Sequence, residues 1–189
     1  MTPLELAAAA FSALSVLFTV RRSLWLWPAG IVGTALYLVV FLQARLYGSV
    51  ALQVFFLAIQ LYGWWWWLRG DKGGEPAIRR LSGRAMNRLL IVASLAIVAV
   101  AVALEKYTDA QAPRVDTAIM VLSICAQWLL SRKLLQNWWF WLGVDVLAVG
   151  HYGLQGLYVT AGLYALFLVM AGWGLWEWRR AFKAQGPLA

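Results

Sequence analysis

The segment LYGSVALQVFFLAIQLYGWWWWLR, residues 46–69, recurs in altered form as LYVTAGLYALFLVMAGWGLWEWRR at residues 157–180. A shift of 111 residues aligns the two copies over 24 positions, of which nine carry the same residue. A composition this biased gives roughly two matches by chance over such a length. The shared residues of the first copy are Leu46, Tyr47, Leu52, Phe56, Leu57, Gly63, Trp65, Trp67 and Arg69. The chain therefore contains an internal duplication.

A second alignment extends the duplication toward the start of each copy. With a shift of 114 residues, Trp25, Trp27 and Val32 match Trp139, Trp141 and Val146. We expect the three-residue difference between the two shifts to fall in the loop between the paired helices. Each copy then holds three hydrophobic segments, and one further segment joins the copies. Parallel repeats related by an axis along the membrane normal are typical of transporters, which hold the substrate between their halves.

The composition places the chain in a membrane. Of its 189 residues, 63% are hydrophobic and 13% are charged, whereas about a quarter of a soluble chain is charged. The 16 Lys and Arg residues outnumber the 8 Asp and Glu residues and give a formal charge of +8, which does not by itself indicate nucleic acid. A single Cys and a single His exclude an internal disulfide and most catalytic metal sites. We expect no cofactor and no metal ion.

Uncharged stretches divide the chain into seven predicted transmembrane helices. Residues 23–44 and 46–68 each reach the roughly 20 residues that cross about 30 Å of hydrocarbon. The last uncharged stretch, 146–176, is too long for one helix and is predicted to turn back near 153–158. The predicted helices lie near residues 4–20, 24–43, 49–68, 88–104, 115–131, 136–153 and 158–178. The expected fold class is an all-α integral membrane protein with two parallel three-helix repeats joined by a linker helix, a 3+1+3 arrangement.

Basic residues assign the loops to the two sides of the membrane, because Lys and Arg are retained on the cytoplasmic side of short loops. Thirteen basic residues fall on one side of the predicted bundle and three, Arg45, Lys106 and Arg114, on the other. The prediction is a cytoplasmic (inner) membrane protein with its N-terminus outside and its C-terminus in the cytoplasm. A cleaved signal peptide is the competing interpretation of the first segment, but its positive charges follow the apolar run instead of preceding it. The predicted units are the first bundle (1–68), a cytoplasmic loop with the linker helix (69–114), and the second bundle with a cytoplasmic tail (115–189).

Polar side chains inside the predicted helices are the candidate substrate-binding groups, because such residues cost free energy in hydrocarbon unless they face a partner or a cavity. If the sixth helix begins near Asn137, eight residues at 1.5 Å each place Asp145 about 12 Å deep, close to mid-membrane. Residues at three- and four-residue steps share one face of that helix: Asn137, Trp141, Asp145, Tyr152 and Gln155. The third helix adds Gln53, Gln60 and Trp64, and the seventh helix adds Tyr164. This set predicts a slot for a flat, cationic heteroaromatic ring that carries hydroxyl groups.

Several of these residues also have a purely structural interpretation. Gln53 and Gln60 fit interhelical hydrogen-bond groups as well as ligand groups, and the Asp145 carboxyl group could stay protonated or bond to a neighbouring hydroxyl or amide. Gly30 and Gly33 indicate close approach of helices. Residues 69–88 are predicted to form a solvated cytoplasmic linker. Tryptophans near the predicted helix ends are typical of interfacial belts, namely Trp25, Trp27, Trp66, Trp67, Trp138 and Trp178.

Residues 35–67 and 131–178 resemble the Pnu family of vitamin transporters, whose best-known members carry nicotinamide riboside. The resemblance rests on LYG followed by a Trp-rich helix end, and on NW..W..VD followed by GLY.TA.LY, in the expected order and spacing. It covers both three-helix repeats. It implies a fold like that of the SWEET sugar carriers, energy-independent passage of the substrate, and trapping by a cytosolic kinase that phosphorylates it.

The predicted function is uptake of nicotinamide riboside by facilitated diffusion through alternating access, and thiamine or riboflavin is the alternative substrate within this family. The motifs do not decide between these vitamins, but a neutral flavin would gain less from Asp145 than a cation would. One alternative is a vitamin-binding membrane subunit that needs a separate ATPase, and the parallel repeat argues against it. The chain itself has no G-x-x-x-x-G-K segment for ATP.

A second alternative, a membrane-embedded enzyme or assembly protein, is disfavoured because Asp145 is essentially the only ionisable group within the spans. The expected partners are a small vitamin and the lipid bilayer, without nucleic acid, and the oligomeric state is left open, a homo-oligomer included.

Overall fold

A computed structural model describes residues 2–43, 47–70, 76–107 and 112–185 and is all-helical in its named elements. The seven helices are α1 (Pro3–Val20), α2 (Leu26–Gln43), α3 (Tyr47–Arg69), α4 (Gly83–Tyr107), α5 (Pro113–Ser131), α6 (Asn137–Leu154) and α7 (Tyr158–Ala184). The predicted helix count and the turn near residues 153–158 are confirmed. α4 begins five residues before the predicted start near 88, and α7 continues past the predicted end near 178. Arg45, Leu46, Lys72 and the other linker residues of 71–75 lie outside the described residues.

Helix ends follow local sequence signals. The Thr2 hydroxyl accepts a hydrogen bond from the Glu5 backbone N–H at 3.2 Å, and the Thr2 backbone N–H donates to the Glu5 carboxylate at 2.7 Å. This capping box starts α1 with Pro3 in its first turn. At the other end of the chain, Gly156 adopts a φ of 75° between α6 and α7, a left-handed conformation that glycine reaches without steric cost.

Five of the seven described helices, α1, α2, α4, α5 and α7, are long and apolar enough to cross a membrane. The other two, α3 and α6, contain 23 and 18 residues, so their length also suffices for a span. Their hydropathy is lower because they carry polar and tryptophan side chains, among them Gln53, Gln60, Asn137 and Asp145. α3 and α6 therefore bring polar groups into a bundle that has to accommodate them in its interior.

Six of the helices make a closed ring of contacts. The neighbours around the ring are α1, α2, α3, α5, α6 and α7, and α7 returns to α1. Within the described residues, α4 packs against α5 alone. Exchanging α1, α2 and α3 for α5, α6 and α7 leaves the contacts of the six-helix ring unchanged, whereas α4 contacts only one of the two halves. The duplication seen in the sequence is thus also present in the packing of the helices.

The turn that follows α1 and the turn that follows α5 are equivalent. Arg22 and Lys133, 111 residues apart, adopt left-handed φ values of 57° and 53°. α2 and α6 begin and end 111 residues apart as well. The 114-residue register predicted for this part of the repeat is therefore wrong: Trp27 corresponds to Trp138 and not to Trp141. The error arose because closely spaced tryptophans allow two alignments, and the structure shows that the turn has the same length in both copies.

Residues 76–82 pack against the bundle instead of forming a solvated linker. Ile78 is fully buried. The Arg79 backbone N–H donates to the Lys133 carbonyl at 3.1 Å, and the Leu135 N–H donates to the Arg79 carbonyl at 2.9 Å. The predicted solvated linker is thus wrong for this described part, because an apolar side chain and paired backbone groups hold it against the turn between α5 and α6.

Glycine permits close packing of α1 and α2. A Cβ atom at Gly33 would lie 3.0 Å from the Ser12 hydroxyl oxygen and 3.1 Å from the Ser12 backbone nitrogen. The two helix backbones are therefore close to van der Waals contact at this position, as predicted for Gly33.

Candidate functional site

A cavity of about 970 Å³ lies between the two three-helix halves of the ring. Helices α1, α2, α3, α5, α6 and α7 all contribute side chains to it. Its lining is mainly apolar with a few polar groups, and its volume lies at the upper end of the roughly 300–1,000 Å³ that is usual for small-molecule sites. The cavity is therefore large enough for a vitamin-sized ligand.

Four buried tryptophans pack together beside the cavity, and two of them, Trp27 and Trp138, line it. We call Trp27, Trp67, Trp138 and Trp178 the tryptophan cluster; each is at most 3% exposed. The ring centroids of Trp27 and Trp67 lie 5.6 Å apart with an angle of 84° between the planes. The repeat-related pair, Trp138 and Trp178, has almost the same geometry, 5.7 Å and 84°. These edge-to-face contacts are the favourable arrangement of aromatic rings.

The two halves of the tryptophan cluster meet at the contact between Trp67 and Trp178, whose centroids are 6.2 Å apart. The Trp178 indole N–H also donates to the Thr19 carbonyl at 2.9 Å, which joins α7 to α1. The belt position predicted for these four tryptophans is wrong, because they pack on one another and on the core instead of facing the membrane interface.

Basic residues lie at the same end of the bundle as the tryptophan cluster, and one of them, the buried Lys133, contacts it. The Lys133 ammonium nitrogen lies 4.4 Å from the centroid of the Trp67 ring. Arg132 donates a hydrogen bond to the Tyr62 hydroxyl and lies over the Trp66 ring. We call this end of the bundle, where the α1–α2 and α5–α6 turns lie, the basic end. The opposite end of the cavity is lined by exposed residues such as Leu6 and Val159, so the cavity reaches the surface there.

The first half of the ring contributes amide and hydroxyl groups to the cavity. The Gln60 side-chain amide donates to the Thr34 hydroxyl at 2.8 Å, across from α3 to α2. Gln53, two turns earlier on the same face of α3, also lines the cavity. Ser15 lies nearby on α1, but its hydroxyl already donates to the Leu26 carbonyl at 2.8 Å. This side of the cavity therefore presents amide and hydroxyl groups, and Glu5 on α1 adds a carboxyl group to the lining.

The second half contributes a carboxylate and aromatic rings. Asp145 on α6 is 4% exposed, and no hydrogen bond or ion pair joins its side chain to another described residue. Trp141 lies one turn earlier on α6 and also lines the cavity. Tyr152 and Tyr164 stack at 5.5 Å with 25° between their planes. A carboxylate buried beside aromatic rings is an environment that favours a cation.

The structure brings six of the nine predicted binding residues to this one cavity. They are Gln53, Gln60, Trp141, Asp145, Tyr152 and Tyr164.

Three predicted binding residues lie elsewhere. Asn137 is fully buried in the first turn of α6, where its amide donates to the Leu134 carbonyl at 2.7 Å. Gln155 caps the far end of α6 and contacts His151 at 3.0 Å. Trp64 packs against the core around the tryptophan cluster. Helical spacing gave these residues the right angle around the helix axis, but their depth or their packing takes them away from the cavity.

Other lining residues escaped the sequence analysis. They include Ser12, Thr34, Tyr37, Phe56, Ser123 and Phe167. Four of these residues form two pairs related by the 111-residue shift, Ser12 with Ser123 and Phe56 with Phe167. The same shift aligns Thr34 with Asp145. With the correct register for α2 and α6, the alignment of Thr34 with Asp145 would have pointed to Thr34.

Metal ligands are not gathered at this cavity. No cluster of three or more His, Cys, Asp or Glu side chains that could hold a metal ion occurs within the described ranges. The lining offers aromatic rings, amides, hydroxyls and the carboxyl groups of Glu5 and Asp145 for recognition of a ligand.

Comparison with known proteins identifies the family. Residues 2–180 match the family model described as nicotinamide mononucleotide transporter. The chain belongs to this family. It is accordingly a multi-pass membrane transporter and not an enzyme.

Relatives within the nicotinamide mononucleotide transporter family cover most of the chain. The nicotinamide riboside transporter PnuC of Escherichia coli (strain K12) is 29% identical over 187 residues, which covers 85% of this chain and 78% of the relative. The riboflavin/roseoflavin transporter RibM of Streptomyces davaonensis is 30% identical over 162 residues, with 84% and 76% covered. A crystal structure of the vitamin B3 transporter PnuC matches the fold with a TM-score of 0.78 at 20% identity, over 96% of this chain and 82% of that chain.

Proposed function

We propose that this transporter carries nicotinamide riboside into the cell by facilitated diffusion, with the central cavity as its binding site. The observation that carries the proposal is the buried Asp145 carboxylate, which lines the cavity beside Trp141 and has no cationic partner among the described side chains. A buried carboxylate without a partner is costly, and a cationic ligand would offset that cost. The PnuC relative of Escherichia coli, described as a nicotinamide riboside transporter, supports this choice.

Nicotinamide riboside combines three features that the lining matches. Its pyridinium ring is flat and cationic, which suits Trp141 and Asp145. Its sugar hydroxyls suit the amide groups of Gln53 and Gln60, which can both donate and accept hydrogen bonds. Tyr152 and Tyr164 add aromatic surface and hydroxyl groups to the lining.

Riboflavin is the second candidate substrate, because RibM of Streptomyces davaonensis, described as a riboflavin/roseoflavin transporter, is 30% identical to this chain. The flavin ring would use the aromatic lining, and its polyol chain would use the amides. It carries no positive charge, however, so it would leave Asp145 without a partner. Thiamine, a cation, is the third candidate on charge alone.

The transport mechanism that we propose is alternating access between two parallel halves. The halves are residues 1–68 and 115–189, joined by the loop and linker helix of 69–114, in a 3+1+3 arrangement like that of the SWEET carriers. The exchange symmetry of the helix contacts supports it. The basic end faces the cytoplasm under the positive-inside rule, so the N-terminus lies outside and the tryptophan cluster lies toward the cytoplasmic side. A cytosolic kinase would trap the imported vitamin.

Transport by the purified chain in sealed lipid vesicles tests the proposal. Labelled nicotinamide riboside should enter without ATP until the inside and outside concentrations are equal, and an internal kinase with ATP should raise accumulation beyond that level. Riboflavin and thiamine, measured in parallel, should enter more slowly. Entry of riboflavin alone would favour the second candidate. Binding without any entry would indicate a vitamin-binding subunit that needs a separate ATPase, and would overturn facilitated diffusion by this chain.

A further inference from the structure

Gly30 lies where a side chain would collide with a polar group of the cavity. A Cβ atom built on Gly30 would lie 2.5 Å from the Gln60 side-chain oxygen and 2.9 Å from the Ser15 hydroxyl oxygen. Both distances are far below van der Waals contact between carbon and oxygen. The absence of a side chain on α2 at this position therefore makes the space into which the Gln60 amide extends.

The Gln60 amide has little freedom to move away. Gln60 is 7% exposed, and its nitrogen donates to the Thr34 hydroxyl at 2.8 Å. Thr34 lies one turn after Gly30 on the same helix, so α2 holds the nitrogen of the amide at Thr34 while its oxygen lies against Gly30. An alanine at position 30 would push the oxygen away and break or distort the bond to Thr34.

At the equivalent positions of the second half, the sizes of the two facing side chains are exchanged. With the 111-residue shift, Gly30 corresponds to Trp141, and Gln60 corresponds to Ala171. In the first half the small residue is on α2 and the large one on α3; in the second half the large residue is on α6 and the small one on α7. Trp141 packs against the core cluster that contains Ala171. The two halves thus fill equivalent space with an amide on one side and an indole on the other.

We propose that Gly30 is a positioning residue that creates a hydroxyl-reading subsite in the first half and so fixes the orientation of the substrate. The aromatic ring of the vitamin lies in the second half, against Trp141, and its hydroxyl-bearing segment, a sugar or a polyol, lies in the first half against the Gln60 amide. Gly30 acts through Gln60 and does not itself touch the ligand. This inference rests on the proposed function of the cavity.

A double-mutant cycle on the full-length purified protein tests it by calorimetric titration with nicotinamide riboside. Gly30→Ala and Gln60→Ala should each weaken binding about tenfold. If the loss of affinity in Gly30→Ala comes from displacement of the Gln60 amide and not from the contact with Ser15, the double variant should bind like Gln60→Ala alone. Gly172→Ala is the matched control, since a Cβ there meets nothing within 4 Å and the residue is outside the cavity lining; its affinity should equal that of the wild type.

The same variants identify the part of the ligand that the subsite reads. 1-Methylnicotinamide keeps the pyridinium ring and carboxamide but has a methyl group in place of the sugar. It should bind the wild type at least tenfold more weakly than the riboside, and Gly30→Ala should not weaken it further. An equal loss of affinity for both ligands would show that the first half does not read the sugar.

The remaining outcomes separate the two proposals. If the wild type binds the riboside but the losses multiply in the double variant, Gly30 acts through helix packing and this inference is wrong while the proposed function stands. If the wild type binds neither nicotinamide riboside nor riboflavin, the proposed function fails and this inference fails with it. Should Gly30→Ala not fold, Thr34→Val releases the Gln60 nitrogen instead and should weaken riboside binding; an unchanged affinity would overturn the inference.

Discussion

Alanine substitutions at Gly63 and Gly174 should destabilise the protein, because both glycines face the rings of the tryptophan cluster. Gly63 on α3 lies against Trp27, and Gly174 on α7 lies against Trp138. For Gly63, the second- and third-nearest ring atoms would be 2.7 and 2.8 Å from an added Cβ atom. Carbon atoms in contact prefer about 3.5–4.0 Å, so the ring or the helix would have to shift by about 1 Å.

The expected size of the effect follows from how tightly the rings are held. Trp27 is 0% exposed and Trp138 is 1% exposed, so both rings are packed in the core of the bundle. Overpacking of a well-packed core costs about 1–3 kcal/mol. Replacing glycine in a helix by alanine returns up to about 1 kcal/mol through helix propensity, so the comparison needs a control that receives the same gain. Gly172→Ala on α7 provides it, because its added Cβ meets nothing within 4 Å.

Thermal unfolding monitored with a thiol-reactive dye measures this difference directly. Cys125 is the single cysteine of the chain and is buried on α5, so it should react only when the bundle opens. For a chain of this length, 1 kcal/mol corresponds to about 2–4 °C in Tm, so Gly63→Ala and Gly174→Ala should unfold about 2–12 °C below Gly172→Ala. Similar losses in the two variants are expected from their matching geometry. If either variant unfolds at the temperature of the control, its glycine does not contact the cluster as described here.

Two further predictions concern charge and orientation. Asp145→Asn should weaken binding of nicotinamide riboside about tenfold or more through loss of an ion pair in a low-dielectric cavity, but should change binding of neutral riboflavin much less; equal losses in parallel titrations would remove the carboxylate from cation recognition. In a Cys125→Ser background, a membrane-impermeant maleimide should label Leu154→Cys, at the end opposite the basic end, on intact cells, and Arg84→Cys only after permeabilisation. The reverse labelling pattern would contradict the proposed orientation.

The helices could be predicted well because length and charge define them almost independently of tertiary contacts. Uncharged runs of about 20 residues between basic clusters are required by the thickness of the hydrocarbon layer. The register of the repeat near α2 was harder, since Trp25 and Trp27 align with Trp139 and Trp141 as readily as Trp27 aligns with Trp138. Sequence identity cannot distinguish these alignments, whereas the matching ring contacts of Trp27 and Trp138 can.

The cavity could be predicted only in part, because helical periodicity gives an angle around the axis but not the depth along it. Asn137 and Gln155 share a helical face with Asp145, yet they lie at the two ends of α6 and make local contacts there. The role of Trp27 was misjudged for a related reason. Taken alone, a tryptophan near a helix end is typical of a membrane interface. Trp27 is buried instead because four such tryptophans, two from each half, pack together in the core.

Comparing the two halves of the chain separates residues that hold the bundle together from residues that face the ligand. At the shift of 111, the packing positions agree: Trp27 with Trp138, Gly63 with Gly174, and Trp67 with Trp178. The cavity positions mostly differ, with Gly30, Thr34, Gln53 and Gln60 opposite Trp141, Asp145, Tyr164 and Ala171. A ring that opens and closes about a two-fold axis needs the same contacts in both halves, whereas a ligand with a charged ring at one end and hydroxyls at the other needs different ones. Divergence between equivalent positions therefore marks several lining residues of the cavity, while Ser12 with Ser123 and Phe56 with Phe167 line it with the same residue in both halves.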